Sequence, residues 1–125
     1  MTENELSKIL VNIFFKIHNL LGPGLMEIVY EHAICYELDK AGINYCRQKE
    51  IPVKYENLNL GIGFRADIIV MEKLIIEIKS LEKLSPVYFK QLMTYLKLTN
   101  IKLGLLVNFN EVLIKDGISR IANKL

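Results

Sequence analysis

The stretch Arg65-Ala-Asp67-Ile-Ile-Val-Met-Glu-Lys-Leu-Ile-Ile-Glu77-Ile-Lys79-Ser80 decides how this chain folds. Two runs rich in Ile and Val, residues 64–71 and 74–80, suit a pleated, half-buried surface. Side chains on a strand alternate between its faces. Arg65, Asp67 and Ile69 therefore share one face of the first strand, and Ile75, Glu77 and Lys79 share one face of the second. Ala66, Ile68 and Val70, with Leu74, Ile76 and Ile78, form wholly apolar faces that belong in a core. Register decides whether the two acids meet. If Val70 pairs with Leu74 across a three-residue loop, Asp67 falls opposite Glu77; a slip of one residue puts them on opposite faces. Glu72-Lys73 lacks the Gly or Asn of a two-residue primed turn, which leaves room for the longer loop. Opposed carboxylates repel. A divalent cation removes that penalty, and Mg²⁺ suits a pair of carboxylates completed by phosphate and water. Alone, Glu77-Ile-Lys79 is more often a solvated strand face than a site, so the rest of the chain has to supply the case.

A length of 125 residues allows one domain with a real core and is too short for two, so residues 1–125 are expected to form a single unit. Hydrophobic residues make up 51% of the chain and mean hydropathy is +0.24. That surplus points to a buried sheet and leaves room for a homodimer interface. No apolar run approaches the roughly 18 residues that span a bilayer, so no membrane partner is expected. Glu3 and Glu5 interrupt the N-terminus, no signal-peptide pattern follows, and the expected location is cytoplasmic. A net charge of +2 permits a polyanion partner without demanding one. Cys35 and Cys46 are spaced neither as metal ligands nor as a redox pair, and are expected to be reduced core thiols.

Along the chain, Thr2-Glu-Asn-Glu5 has the pattern of a capping box. Leu6, Ile9, Leu10, Ile13, Phe14, Ile17, Leu20 and Leu21 then recur at helical spacing, up to a stop at Gly22-Pro23-Gly24. His18, near that end, reads as a capping or surface histidine. A second helix begins in Gly24-Leu-Met-Glu27-Ile-Val-Tyr30 and runs to about Lys40, with Gly42 as its stop. Glu27, Tyr30, Glu31 and Ile34 lie on one stripe of it, and Glu27 in the first turn is favoured by the helix dipole. Residues 43–50 read as a strand continued by 51–55, with Pro52 at an edge or a bend. Residues 57–59 read as a turn, and Gly61 and Gly63 weaken the strand that follows or allow a bulge. After a loop over 81–85, Ser85-Pro86 opens a helix with Tyr88, Gln91, Leu92 and Tyr95 down one side. Residues 102–109 carry Leu103-Gly-Leu-Leu-Val107, a strand buried on both faces. Residues 112–115 and 118–121, split by Asp116-Gly117, make a hairpin or a short helix. The sum is an α/β fold, a mixed central sheet flanked by helices.

The ordered set of polar residues resembles the PD-(D/E)XK nuclease superfamily in a compact RecB-like form, and more closely the small GxxExxY proteins. Gly24-Leu-Met-Glu27-Ile-Val-Tyr30 matches that signature, preceded by His18-Asn-Leu-Leu-Gly-Pro-Gly. Arg65-x-Asp67, Glu77-Ile-Lys79, Gln91-Leu-Met-Thr-Tyr95, Leu105-Leu-Val-Asn108-Phe109 and Ile118-x-Arg120 follow in family order. The resemblance covers nearly the whole chain. Ala66 stands where the superfamily's name has Pro, as in many RecB-like members. The resemblance implies a restriction-endonuclease-like core and a Mg²⁺- or Mn²⁺-dependent nuclease acting on nucleic acid, DNA before RNA. It implies that Asp67, Glu77 and the main-chain carbonyl of Ile78 hold the metal, with Glu27 a further acidic ligand, directly or through water. Lys79 would position or activate the attacking water and offset phosphate charge, while Gln91 and Tyr95 would line the site from the following helix.

Three readings stand side by side. The first is the nuclease. The second is a module that keeps the nuclease fold without turnover and binds nucleic acid or a protein partner, since fold does not fix function. The third is a structural subunit whose six polar residues, Glu27, Asp67, Glu77, Lys79, Gln91 and Tyr95, are scattered over its surface. Glu27 is read either as a ligand or as a partner of the helix dipole, and Gln91 and Tyr95 either as site or as helix packing. Tyr30, His18, Arg65 and Arg120 are read as structural.

Overall fold

The runs at 64–71 and 74–80 form adjacent strands of a five-stranded sheet in the computed structural model, which describes residues 1–125. The elements are α1 (Glu3–Leu21), α2 (Glu27–Ala41), β1 (Tyr45–Tyr55), β2 (Leu58–Val70), β3 (Leu74–Lys79), α3 (Pro86–Thr99), β4 (Leu103–Asn108), a 3-10 helix (Ile114–Gly117) and β5 (Ile118–Ala122). The strands lie side by side in chain order. All neighbours are antiparallel except β3 and β4, which run parallel and are joined through α3. The sheet is therefore mixed, as the sequence predicts.

Helices cover both faces. Leu6, Leu10 and Phe14 of α1 and Ile34 and Leu38 of α2 pack on Ile68, Val70, Ile76 and Ile78. On the other face Leu92 and Leu96 of α3 pack on Ile69, Ile75 and Leu106. β4 is buried at every position, as expected of a strand enclosed on both sides. Local signals fix the helix ends. Thr2 and Glu5 close a reciprocal capping box on α1, Gly42 takes the left-handed cap of α2, and Ser85 caps α3 ahead of Pro86.

Val70 pairs with Leu74, the register on which the meeting of Asp67 and Glu77 depends. The turn that achieves it is locally costly. Met71 and Glu72 have φ of 52° and 56°, a left-handed conformation that side chains disfavour. Burial of the Ile and Val faces overrides turn chemistry here. In the β1–β2 ladder the register shifts on either side of Pro52, which lies on the edge strand. The extra residues fall on β2 around Gly61, with φ of 85°, and at Gly63, where Val53 leaves no room for a side chain.

Several expectations need correction. Leu58 and Asn59 already belong to β2, so the turn is Glu56-Asn57. Of the two readings of residues 112–121 the hairpin is wrong and the short helix is found: residues 112–115 form no strand, and the 3-10 helix leads into β5, which pairs with β4. Ala66 packs with Ile69 and Ile75, not with Ile68 and Val70. The strand changes sides at Asp67, opposite Gln48, whose φ of 52° breaks the regular pleat. Cys46 is exposed, because β1 is an edge strand, whereas Cys35 is buried as expected. His18 is buried, its Nε2 2.8 Å from the Glu111 carbonyl, so it ties α1 to the loop before the 3-10 helix.

Gly104 sets how closely α3 approaches the sheet, since a Cβ there would lie 2.9 Å from Leu92. Gly104→Ala is expected to cost about 1–3 kcal/mol through overpacking, read as a lower urea midpoint with an unchanged slope.

Candidate active site

β2 and β3 diverge at Asp67. Their paired positions are Val70 with Leu74, Ile69 with Ile75 and Ile68 with Ile76, and the ladder ends there. Beyond that point β2 stays with β1, through Ala66 with Lys49 and Arg65 with Glu50. β3 stays with β4, through Glu77 with Leu106 and Lys79 with Asn108. The splay leaves a gap between the two strands, a cleft beside Asp67 and Glu77. Asp67 closes its inner end, because Oδ2 accepts the Ile78 N–H at 2.8 Å. The N–H and C=O of one strand residue project to the same side. Lys79 turns its carbonyl toward β4, where it accepts from Phe109 N at 2.9 Å, so the Ile78 carbonyl faces the cleft.

Glu77 is only 8% exposed, and its Oε1 is buried with no hydrogen-bond partner. Burial, reinforced by the neighbouring Asp67 charge, pushes its pKa from 4.5 up to about 9. Near neutral pH this carboxyl therefore holds a proton. Lys79 points elsewhere, its Nζ 4.4 Å from the centre of the Tyr88 ring. Tyr95 stacks on Phe64 with ring centres 3.8 Å apart. Burial raises its hydroxyl pKa, and the charges of Glu77 and Asp67 add to that effect, which places Tyr95 on the acidic side of the cleft. Gln91 is exposed, one turn earlier on the same helix.

Glu27 stands apart from the pair. It is exposed in the first turn of α2, and its Oε2 accepts the Ser80 N–H at 3.3 Å. Ser80 Oγ in turn donates to the Leu25 carbonyl at 2.7 Å. These bonds sew the loop between α1 and α2 to the end of β3. No three side chains among His, Cys, Asp and Glu gather closely enough to hold a metal ion by themselves. The set that does converge is Asp67, Glu77 and the Ile78 carbonyl. Its hard oxygen donors suit Mg²⁺ or Mn²⁺, and the partnerless Glu77 Oε1 is a buried acceptor that a cation would satisfy.

The sequence model of the PD-(D/E)XK nuclease superfamily matches residues 4–121. The chain belongs to that superfamily. Its five-stranded mixed sheet between helices is the restriction-endonuclease-like core. No curated protein and no solved structure matches the chain.

Sequence reasoning left out a group that touches Asp67. Gln48 of β1 directs its Nε2 to Glu31 Oε1 at 2.5 Å and to Asp67 Oδ1 at 3.4 Å. Glu31 is 3% exposed, and its Oε2 accepts Nε and Nη2 of Arg47 at 2.9 and 2.6 Å. One signal was present: Glu31 interrupts the otherwise apolar stripe of Tyr30, Ile34, Cys35 and Leu38.

The Glu77 shift has a stability consequence. Between pH 4.5 and about 9 the folded protein keeps a proton that the unfolded chain has released, so stability falls as pH rises through that window. Glu77→Gln removes this penalty. In EDTA at pH 8 it is expected to stabilise the protein by about 1–3 kcal/mol, and to flatten the decline of the melting temperature between pH 6 and 9.

Proposed function

We propose that the protein is a divalent-cation-dependent nuclease that hydrolyses phosphodiester bonds, with DNA as its substrate. The observation that carries this reading is the partnerless, buried Glu77 Oε1 beside Asp67, where the two strands begin to part. Superfamily membership supports it, as does the match of Gly24-x-x-Glu27-x-x-Tyr30 to the GxxExxY proteins. Asp67, Glu77 and the Ile78 carbonyl would hold Mg²⁺ or Mn²⁺, with Glu27 at the rim reaching it through water. The bound ion would supply Lewis-acid polarisation of the phosphate and a lower pKa for the attacking water.

The chain's own groups do the rest. Loss of the Glu77 proton frees its carboxylate to act as a ligand. Lys79, held over Tyr88 and unpaired with either acid, offers an ammonium to the charge that builds on the phosphate oxygens. Tyr95, fixed by stacking on Phe64, presents a hydroxyl to the scissile region or its backbone. Gln91, exposed on the same side of α3, contacts the nucleic-acid backbone. A net charge of +2 gives weak electrostatic capture, so the salt dependence of binding should be shallow, because its slope scales with the number of phosphates neutralised.

The reading without turnover has one observation in its favour: only two carboxylates converge, and Glu27 stays at the rim. Incubation with plasmid, single-stranded DNA and RNA in Mg²⁺ or Mn²⁺ separates the two. The expected result is cleavage of DNA that EDTA abolishes. Asp67→Ala should fall to background, and Lys79→Met should lose about 10²–10³-fold in rate, the usual cost of removing one preorganised stabiliser. Binding in EDTA with no cleavage under any metal would establish the inactive module, and cleavage undiminished in Asp67→Ala would remove the site assignment.

A further inference from the structure

We propose that Gln48 and the buried Glu31 are positioning residues that fix the Asp67 carboxylate for its cation. This role rests on the cation-dependent reading above and adds residues that it does not use. Gln48 occupies the register position opposite Asp67, between the pairs Arg47 with Ile68 and Lys49 with Ala66. Its φ of 52° is a left-handed conformation inside a strand, held by a side chain that is neither Gly nor Asn. Such strain persists where the surroundings over-determine it, and it concentrates at functional sites.

The surroundings here are specific. Gln48 Nε2 lies 2.5 Å from Glu31 Oε1 and 3.4 Å from Asp67 Oδ1. Both neighbours are acceptors, so the amide must turn its NH₂ toward them. Arg47 occupies the other Glu31 oxygen with two N–H groups, at 2.9 and 2.6 Å. The buried carboxylate is thereby neutralised and held, and it anchors the Gln48 amide in one orientation. The two oxygens of Asp67 then receive donors from opposite sides, Gln48 of β1 at Oδ1 and the Ile78 N–H of β3 at Oδ2. The carboxylate plane is clamped across the splay, and each oxygen keeps a lone pair for a ligand. Partners of this kind orient metal-binding side chains, and their loss characteristically weakens metal affinity without removing a ligand.

Calorimetric titration with MnCl₂, together with thermal melts in EDTA, tests the role independently of activity. Gln48→Gly is the informative variant, because glycine accepts the left-handed backbone and the protein should stay folded. Gln48→Gly and Gln48→Ala are expected to weaken Mn²⁺ binding about 10–100-fold, while Asp67→Ala abolishes it. Glu31→Gln, whose Oε1 still accepts from Gln48, should keep most of the affinity, and Glu31→Leu should lose as much as Gln48→Ala. A folded Gln48→Gly variant with unchanged Mn²⁺ affinity would overturn the positioning role and leave the cation site standing. Loss of all binding in Glu31→Gln would make Glu31 a ligand and likewise overturn it. If the unaltered protein takes up no Mn²⁺, the cation reading fails and the positioning role fails with it.

Discussion

The structure depends on holding one carboxyl group out of water next to another. A lone carboxylate in a protein interior is strongly disfavoured, and it responds by keeping its proton. Glu77 does this, with its pKa raised to about 9 chiefly by burial. Its environment follows from the layers. β3 is buried from Leu74 through Ile78, with Ile76 and Ile78 under α1 and α2 and Ile75 under α3. A strand at the edge of the sheet, or one covered on a single face, would leave Glu77 solvated and ordinary. The parallel β3–β4 pair, with α3 crossing between them, encloses it.

The rim of the cleft is held by packing and hydrogen bonds that give the motif residues a physical account. Gly24, at φ of 95°, lets the chain turn between α1 and α2. Tyr30 is fully buried and stacks on Phe109 at 4.3 Å. Its hydroxyl donates to the Gly22 carbonyl at 2.7 Å and accepts the Leu25 N–H at 3.1 Å. Tyr30 thus carries the turn, and the turn carries Glu27 to the end of β3. Asn108, fully buried at the end of β4, does the same for the segment after Lys79: it exchanges two hydrogen bonds with the Leu81 backbone, at 3.0 and 2.9 Å. Two residues read from sequence as motif letters are therefore joints of the scaffold.

Much of this was legible in the chain because it rests on periodicity. The two apolar runs, the fully apolar stretch around Leu105 and the capped helices follow from which faces must be buried, and burial of apolar surface is the main force driving the chain to fold. The pairing of Val70 with Leu74 was legible as a condition, and the structure meets it. What was hidden depends on local exceptions that burial imposes. Met71 and Glu72 accept left-handed φ because the register on either side demands it. Ala66 changes face because the pleat of β1 is broken at Gln48, opposite the neighbouring Asp67, a distortion that no alternation pattern encodes. Gln48 looked like any polar residue of an edge strand, since its importance lies in the side chain it faces across the ladder, and that pairing is set by the register of β1 against β2. Spacing shows which residues share a strand face, but not how far the strands part, and so it left the position of Glu27 relative to the pair open.

The pattern of ion pairs leaves the two acids uncompensated. The salt bridges of the chain join Lys16 and Lys40 to Glu37, Arg47 to Glu31 and Arg65 to Glu50. None involves Asp67, Glu77 or Lys79. A lysine two residues from a buried glutamate on the same strand face would ordinarily swing in and compensate it, since an unpaired buried charge costs far more than an exposed pair gains. Here the ammonium is drawn over the Tyr88 ring instead, and Glu77, buried beside Asp67, keeps its proton. Had Lys79 closed on Glu77, the pair would be a buried salt bridge, stable and inert. Keeping the cationic group one ring away preserves both the unsatisfied oxygen and a positive charge free to meet a phosphate. The glutamate that is fully compensated, Glu31, lies on the far side of Asp67 and works through Gln48. Two buried glutamates flank one aspartate, one neutralised by arginine and one left open, and that asymmetry gives the cleft a direction.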